Sequence, residues 1–338
     1  MSWNPKLLER LMAGDNLSLA DTESAVRSLM DGSWSEPQIA AFLVALRIKG
    51  ETIEEIAGAA RTMRSLASSI TGAEDAVDIV GTGGDGAHSL NISTAAAFVA
   101  RGAGAQVAKH GNRSVSSRSG SADVLEALGA RVDLSPAQSQ AIYAKTGFCF
   151  MYAPQHHPSM KNVAPVRRAL GVRTLFNLLG PLTNPAAVRY GLIGIYDRAL
   201  VEPFAYVLRF LGYERAIVVH GDPNLDEFST SGESFMALLE DGTITSRLIT
   251  AAELGCPIGM PEDIAGADAT ANALAIRQIL AGARHPARHA IALNAGMALY
   301  AAGVATDLTD GYPLALTAID DGSALRALDD YVAASLAA

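Results

Sequence analysis

The chain has 338 residues, 49 % of them hydrophobic and 31 of them glycine, as is typical of a compact α/β enzyme with many tight turns. Its 26 basic and 35 acidic residues give a net charge of −9, which disfavours nucleic acid as a partner unless a basic face is segregated. The two cysteines, Cys149 and Cys256, predict neither a disulfide framework nor a thiolate metal site. The first fifteen residues lack the apolar stretch of a secretion signal, and the longest apolar stretch, near residues 95–108, is interrupted by Arg101. We therefore expect a cytoplasmic protein without membrane contact.

Residues 1–70 show helical patterns only. Ser18 with Asp21 and Thr52 with Glu55 match the capping-box spacing at helix starts. Apolar residues recur at helical spacing over residues 36–49 and 52–66. These two amphipathic segments carry more apolar surface than so small a unit can bury alone, so we expect a small helical domain with an association face.

After the polar linker Thr71–Asp75, short buried strands alternate with helices. The predicted strands are Ala76–Val80, Gln106–Lys109, Phe148–Tyr152, Leu192–Tyr196 and Ala216–His220. This alternation predicts a large α/β domain over residues 72–338, with a mostly parallel sheet and flanking helices. Helical patterns at Val163–Leu170 and Thr174–Leu179 interrupt it, and we expect the 163–180 region to join the smaller all-α domain.

A glycine-rich loop, Gly81-Thr82-Gly83-Gly84-Asp85-Gly86, follows the first predicted strand. It satisfies the dinucleotide-binding spacing, but that fingerprint requires a helix opening at the loop and an acidic residue at the next strand end. Here the helix starts only near Asn91, and the next strand ends in Lys109-His110. A glycine loop still lets backbone approach a phosphate, and Asn91, Ser93 and Thr94 add donors. The loop therefore predicts a phosphate or pyrophosphate site, with a tight structural turn as the alternative.

A second cluster of anion-binding side chains occupies residues 109–121. Lys109, His110, Arg113 and Arg118 stand among Asn112 and five serines, just before a helical pattern. Cations, hydroxyls and free backbone N–H groups at one helix N-terminus favour phosphate binding.

Asp226 and Glu227 follow the last predicted parallel strand and its Gly221-Asp222 turn. Adjacent carboxylates at the carboxyl end of a parallel strand suit magnesium, which prefers oxygen ligands and often bridges to substrate phosphates. A solvated acidic loop is the alternative for such a pair.

Two further pairs of residues are ambiguous on sequence alone. His156 and His157 diverge as neighbours and disfavour zinc, although one of them could touch a substrate. Arg167 or Arg168 could pair with a substrate carboxylate or be solvated on a helix. The apolar segment 177–185 could line a flat aromatic pocket, with ordinary packing as the alternative.

These motifs occur in the order found in anthranilate phosphoribosyltransferases, and the chain resembles that family over nearly its whole length. The segments that carry the resemblance are 78–85, 91–94, 109–128, 153–158, 173–185 and 225–227. The resemblance implies a nucleoside-phosphorylase-like fold, a homodimer formed through the helical part, and a role in tryptophan biosynthesis. It also implies transfer of the phosphoribosyl group of 5-phosphoribosyl 1-pyrophosphate to the amine of anthranilate, with release of pyrophosphate.

The resemblance also implies site residues. Phosphoribosyl pyrophosphate contacts fall on Gly81, Gly84, Asp85, Ser89, Asn91, Ile92, Ser93, Thr94, Lys109, His110, Gly111, Asn112, Arg113, Ser114, Val115, Ser116, Ser117 and Ser121. Magnesium, at two ions per subunit, falls on Ser93, Asp226 and Glu227, and anthranilate on Gly81, Asn112, His157, Arg167 and Gly180. No side chain is assigned as catalytic, and His110 is a candidate for taking the amine proton.

The chain departs from the family pattern at few positions. Ser89 stands where the family generally has Thr, and Leu90 replaces a usual Phe. Two alternatives remain at this stage: a pyrimidine or thymidine phosphorylase-like enzyme, and a non-catalytic relative that binds phosphate or nucleic acid. The 112–117 run and the 226–227 pair argue against the first alternative, and the lack of a basic face argues against the second.

Overall fold

The computed structural model describes residues 3–114 and 118–338. The helices, labelled α1 to α15 in chain order, are Pro5–Met12, Leu19–Met30, Glu36–Lys49, Ile53–Ser65, Ile92–Gly102, Ser121–Ala127, Pro136–Thr146, Ala153–His156, Ala164–Leu170, Phe176–Leu179, Val201–Phe210, Ala269–Leu280, Arg288–Ala301, Gly311–Asp320 and Ser323–Ala337. The strands, β1 to β7, are Val77–Gly81, Val107–Gly111, Phe148–Tyr152, Tyr190–Gly194, Arg215–Gly221, Glu233–Glu240 and Thr243–Thr250.

The N-terminal part consists of helices α1–α4, as the sequence predicts. Both predicted helix caps are present. Ser18 accepts from the Asp21 N–H, and Thr52 and Glu55 cap each other's backbone groups. On α3 the apolar residues at helical spacing, Ile39, Phe42, Leu43 and Leu46, are buried.

The seven strands form one sheet in the order β3-β2-β1-β4-β5-β6-β7. The first five are mutually parallel, and β6 and β7 are antiparallel. The predicted mostly parallel sheet with flanking helices is confirmed, but β6 and β7 were missed. Their connection, Asp241-Gly242, has φ values of 48° and 73° and is a strong two-residue hairpin signal, so the sequence did contain the evidence.

The buried apolar residues form two clusters. One packs α5 and the C-terminal helices on the sheet around Phe98, Phe148 and Tyr331. The other runs without a break from the N-terminal helices to sheet residues such as Met151 and Val218. The N-terminal helices thus share a core with part of the sheet, and α9 and α10 contact α3 and α4. The division into residues 1–70 with 163–180 and residues 72–338 stays a prediction.

In the described part of the chain, no helix is both long and apolar enough to cross a membrane.

Candidate active site

Three of the predicted site segments lie at the carboxyl edge of the parallel strands. There β1 ends at Gly81, β2 at Gly111 and β5 at Gly221. In open α/β sheets, ligands bind in the crevice outside this edge. The glycine loop 81–86, the segment after β2 and the turn after β5 are therefore brought together by the topology.

Asp226 is buried against the end of β1. Its Oδ2 accepts a hydrogen bond from the Gly83 N–H at 2.6 Å. A Cβ on Gly81 would overlap this carboxylate, and one on Gly194 would overlap the main-chain carbonyl of Asp226. Glycine is therefore required at the ends of β1 and β4 because the acidic turn packs directly on both backbones.

Glu227 points to the N-terminus of α5, where its Oε1 accepts from the Ser93 N–H at 3.1 Å. Burial, and then the charge of Asp226, raise the pKa of Glu227 well above its usual range. Burial, and then the charge of Asp85, raise the pKa of Asp226 to about 7. Negative charge is thus crowded into a dry site, which a cation would relieve.

These residues fit a hard divalent cation. Each of the two carboxylates has one oxygen bonded to a backbone N–H, which leaves the other oxygen able to coordinate. Within residues 3–114 and 118–338, no set of three or more His, Cys, Asp or Glu side chains is placed to hold a metal together. A magnesium ion here would take its remaining oxygens from a hydroxyl, substrate phosphate and water, as this ion commonly does.

The Lys109 side chain points into the protein rather than to the surface. It is buried, and its Nζ donates to the Ile79 carbonyl and to Ser93 Oγ at 3.3 Å. Burial lowers its pKa, while the charges of Asp78, Glu227 and Asp226 oppose that shift. Its charge therefore balances the acidic residues from inside the protein, and contact with a substrate phosphate stays a prediction.

Asp78 and Asn184 are site residues that sequence reasoning missed. Asp78 Oδ1 accepts from the His110 N–H at 3.1 Å, and its Oδ2 accepts from Asn184 Nδ2 at 2.7 Å. Burial raises the pKa of Asp78 to about 6. An acidic residue inside an apolar strand was the available signal, since buried charges are normally paired.

The segment after β2 is tied to α6. The Arg113 guanidinium forms ion pairs with Asp123 at 2.9 Å and Glu126 at 2.6 Å, and it lies over the Tyr152 ring. The N–H of Ser114 donates to Asp123 at 3.1 Å, and the Ser121 hydroxyl donates to the Asn112 carbonyl at 3.1 Å. The charge of Arg113 is thus already engaged by α6. The predicted contacts at Val115, Ser116 and Ser117 lie outside the described residues.

The predicted donors around the start of α5 have different partners in the structure. Asn91 donates to the Ser119 carbonyl at 3.1 Å and accepts from Asn272 at 3.0 Å. Ile92 and Thr94 are buried. Ser89 forms an isolated bridge with Ala265. Ser93 alone among these brings a side-chain oxygen toward the Lys109 and Glu227 cluster.

Two histidines form the other wall of the candidate site. His110 Nδ1 donates to the Gly180 carbonyl at 3.1 Å, and the His110 and His157 ring centroids are 5.1 Å apart. Burial and the neighbouring His157 hold the pKa of His110 well below its usual range, and burial and His156 lower the pKa of His157 to about 4. Both rings are therefore neutral at pH 7. Each has a buried Nε2 without a hydrogen-bond partner among the described residues.

Arg167, on α9, is half-buried, whereas its neighbour Arg168 is exposed. The Arg167 guanidinium lies 5.5 Å from the ring centroid of Phe176, on the short helix that leads into Gly180. Burial lowers its pKa. In the described part of the chain no carboxylate pairs with it, so this planar cation is available to a ligand anion.

Two side chains outside the predicted set hold the glycine loop. Arg173 stacks on Tyr196 with 4.0 Å between guanidinium and ring centroid, and it donates to the Gly84 carbonyl. Asn224 donates to the Asp85 carbonyl at 2.7 Å. Neither residue stands out in the sequence, because each acts on a loop more than eighty residues away along the chain.

The sequence matches the two domain models of the glycosyl transferase family. Its helical bundle domain model matches residues 5–67, and its a/b domain model matches residues 73–325. The chain belongs to this family.

Relatives narrow the class further. A protein of Rhodopseudomonas palustris strain BisA53 named anthranilate phosphoribosyltransferase is 46 % identical, over 97 % of each chain. A structure of the Thermus thermophilus enzyme of that name has a TM-score of 0.92 and 40 % identity, covering 98 % of this chain and 99 % of that one. The Saccharomyces cerevisiae enzyme in complex with phosphoribosyl pyrophosphate and magnesium has a TM-score of 0.90 and 26 % identity, covering 99 % of this chain and 98 % of that one. The resemblance seen in the sequence is confirmed, and these relatives support the transferase over the phosphorylase and non-catalytic alternatives.

Proposed function

We propose that the chain transfers the phosphoribosyl group of 5-phosphoribosyl 1-pyrophosphate to the amine of anthranilate at this edge of the sheet, releasing pyrophosphate. The observation that supports the proposal is that one edge of the sheet holds both an acidic region and a region of neutral histidines beside an arginine. Its acidic side joins the glycine loop to the buried 226–227 carboxylates. On its other side lie two neutral histidines and Arg167, and in the described part of the chain neither the histidine Nε2 atoms nor the Arg167 guanidinium has a polar or acidic partner.

On the donor side, the glycine loop and the N-terminus of α5 offer backbone N–H groups to the phosphates. Asp226 and Glu227 would hold magnesium, which when bound neutralises charge on the pyrophosphate leaving group. The positive charge of Lys109 would partly offset the repulsion between the two carboxylates. It would also partly offset the repulsion between the carboxylates and the pyrophosphate. We propose two magnesium ions per subunit, as the resemblance implies.

On the acceptor side, Arg167 would pair with the anthranilate carboxylate through its planar guanidinium. The His110 Nε2 atom can accept a hydrogen bond from the amine, since the ring is neutral and its Nδ1–H is donated to Gly180. The neutral His157 ring lies beside it. An aromatic amine needs no covalent enzyme intermediate, so positioning and leaving-group electrostatics supply most of the acceleration. Of the two rings, His110 is the proposed acceptor of the amine proton, because its Nδ1–H is already fixed on Gly180.

Purified protein mixed with anthranilate, phosphoribosyl pyrophosphate and magnesium should consume anthranilate. The loss of anthranilate fluorescence measures the reaction. Omitting either phosphoribosyl pyrophosphate or magnesium should stop the reaction. A parallel incubation with thymidine and inorganic phosphate tests the phosphorylase alternative. Turnover of thymidine with no loss of anthranilate would contradict the proposed function.

We further propose a homodimer formed through the helical part, acting in the cytoplasm in tryptophan biosynthesis. Large apolar side chains are exposed at Met12 on α1, Ile48 on α3 and Val172 after α9, and α3 contacts both α1 and α9. Exposed apolar surface of this kind favours association. Sedimentation at micromolar concentration should give twice the monomer mass of 35.2 kDa.

The matched variant for this prediction is Ile48→Glu, because Ile48 is 81 % exposed in the monomer and its replacement disturbs no core. It should sediment as a monomer and keep the circular dichroism spectrum of the folded wild type. A wild-type chain that stays monomeric across a wide concentration range would contradict the dimer.

A further inference from the structure

Arg64, near the end of α4, joins the N-terminal helices to the acceptor side of the cleft. Its Nε donates to the Leu182 carbonyl at 2.7 Å, and its Nη2 donates to the Tyr213 hydroxyl at 3.2 Å. The guanidinium also lies 5.3 Å from the Tyr213 ring centroid. Across residues 3–114 and 118–338 it bonds to carbonyls and this phenol, and no carboxylate lies within ion-pair distance of it. The directional donors of Arg64 are thus used to hold backbone in place.

The Leu182 carbonyl that Arg64 holds belongs to the acceptor wall, by which we mean residues 180–184 together with His110 and His157. Leu182 ends the 3₁₀ turn Gly180–Leu182, whose first carbonyl accepts from His110 Nδ1. Two residues further on, Asn184 Nδ2 donates to both Asp78 Oδ2 at 2.7 Å and the Ala108 carbonyl at 2.8 Å. A shift of Leu182 would therefore move the groups that orient His110.

A second contact joins Ser68, just after the end of α4, to His156, the residue before His157. The Ser68 N–H donates to the His156 carbonyl at 2.8 Å, and His156 Nδ1 donates to the Ser68 carbonyl at 2.7 Å. His156 directly precedes His157, whose ring packs edge-on against His110. The segment from Arg64 to Ser68 therefore touches both parts of the acceptor wall.

We infer that Arg64 is a positioning residue for acceptor binding: it holds the 180–184 segment, and with it the hydrogen bond from His110 to Gly180, in the arrangement that receives anthranilate. This inference rests on the proposed function, because it assigns Arg64 to the acceptor half of that site. No contact links Arg64 to the glycine loop or to the 226–227 carboxylates in the described residues. Its loss should therefore affect the acceptor and spare the donor.

The test compares Arg64→Met and Arg64→Lys with Arg61→Met. Arg61 is the matched control, because it lies one turn earlier on α4, stacks over Phe210 at 5.5 Å and pairs with Glu23, away from the acceptor wall. Arg64→Met should lower kcat/KM for anthranilate by about tenfold or more, mostly through KM, and leave KM for phosphoribosyl pyrophosphate within about twofold. Arg64→Lys, which keeps a donor for Leu182, should fall between the wild type and Arg64→Met.

Hydrogen exchange supplies a readout that does not depend on turnover. Backbone amides in residues 180–184 should exchange faster in Arg64→Met than in Arg61→Met, while those of the glycine loop should match in the two variants. Equal losses for both substrates, or exchange in residues 180–184 that matches the Arg61→Met control, would overturn the role of Arg64. A wild type that leaves anthranilate unchanged would instead contradict the proposed function, and the exchange comparison would still decide whether Arg64 holds the segment.

Discussion

Replacing Asp226 with Asn and Glu227 with Gln together is expected to lower magnesium-dependent turnover by about 10²- to 10³-fold while leaving the fold intact. The physical reason is that both carboxylates are buried with one oxygen each on a backbone N–H, so their other oxygens would be able to hold the proposed cation. The amides keep similar shape and can still accept from Gly83 and Ser93. They remove the negative charge that would attract the ion. The measurement is turnover against magnesium concentration, together with a circular dichroism melt.

The matched control is Asp222→Asn with Glu233→Gln. These two carboxylates flank the same turn between β5 and β6 but are exposed, and solvated surface charges contribute little. The control pair should keep wild-type turnover at every magnesium concentration. Unchanged turnover in the Asp226 and Glu227 double variant would contradict the metal assignment and return the pair to a structural role.

Arg167→Gln is expected to remove a charge-assisted interaction of roughly 1.5–3 kcal/mol, which is about 10- to 150-fold in anthranilate efficiency. The reason is that Arg167 is half-buried beside Phe176 without a carboxylate partner in the described part of the chain. Efficiency for phosphoribosyl pyrophosphate should be spared. Initial rates with each substrate varied at saturating concentration of the other measure the difference.

Arg168→Gln is the matched control, because Arg168 is next to Arg167 but its side chain is exposed. This variant should behave as wild type. Aniline, which lacks the carboxylate, should not discriminate wild type from Arg167→Gln. A mutant that is much slower on aniline as well would mean that Arg167 does something other than hold the acceptor. An equal fall in efficiency for both natural substrates would indicate general damage to the site.

Much of the architecture is readable from local patterns. The capping residues Ser18 and Thr52 predict helix starts that the structure contains, and the five predicted parallel strands are present with shifts of one or two residues at most ends. The β6–β7 hairpin, joined by the Asp241-Gly242 turn, is not among the predicted strands. Helix starts and buried strands depend largely on nearby residues, so period and turn chemistry predict many of them.

The carboxyl-edge location of the site is also a sequence-level result. Once the strands are parallel, the loops after β1, β2 and β5 must meet at one edge. The glycine loop, the 109–121 run and the 226–227 pair were each singled out for their residue types, and the topology brings them together. Which residues contact each substrate stays a prediction.

The family and the fold class are readable from the sequence, and so is the sheet edge where the candidate site is predicted. Which polar side chains face one another depends on the folded structure. Lys109 turns inward to the Ile79 carbonyl and Ser93, and Arg113 is engaged by α6. Asn184 reaches Asp78 across 106 residues, and Arg64 reaches Leu182 across 118. Such partners are set by packing between distant segments. For the buried Lys109 and Asp78, the cost of burying a charge without a partner, rather than any local preference, selects them.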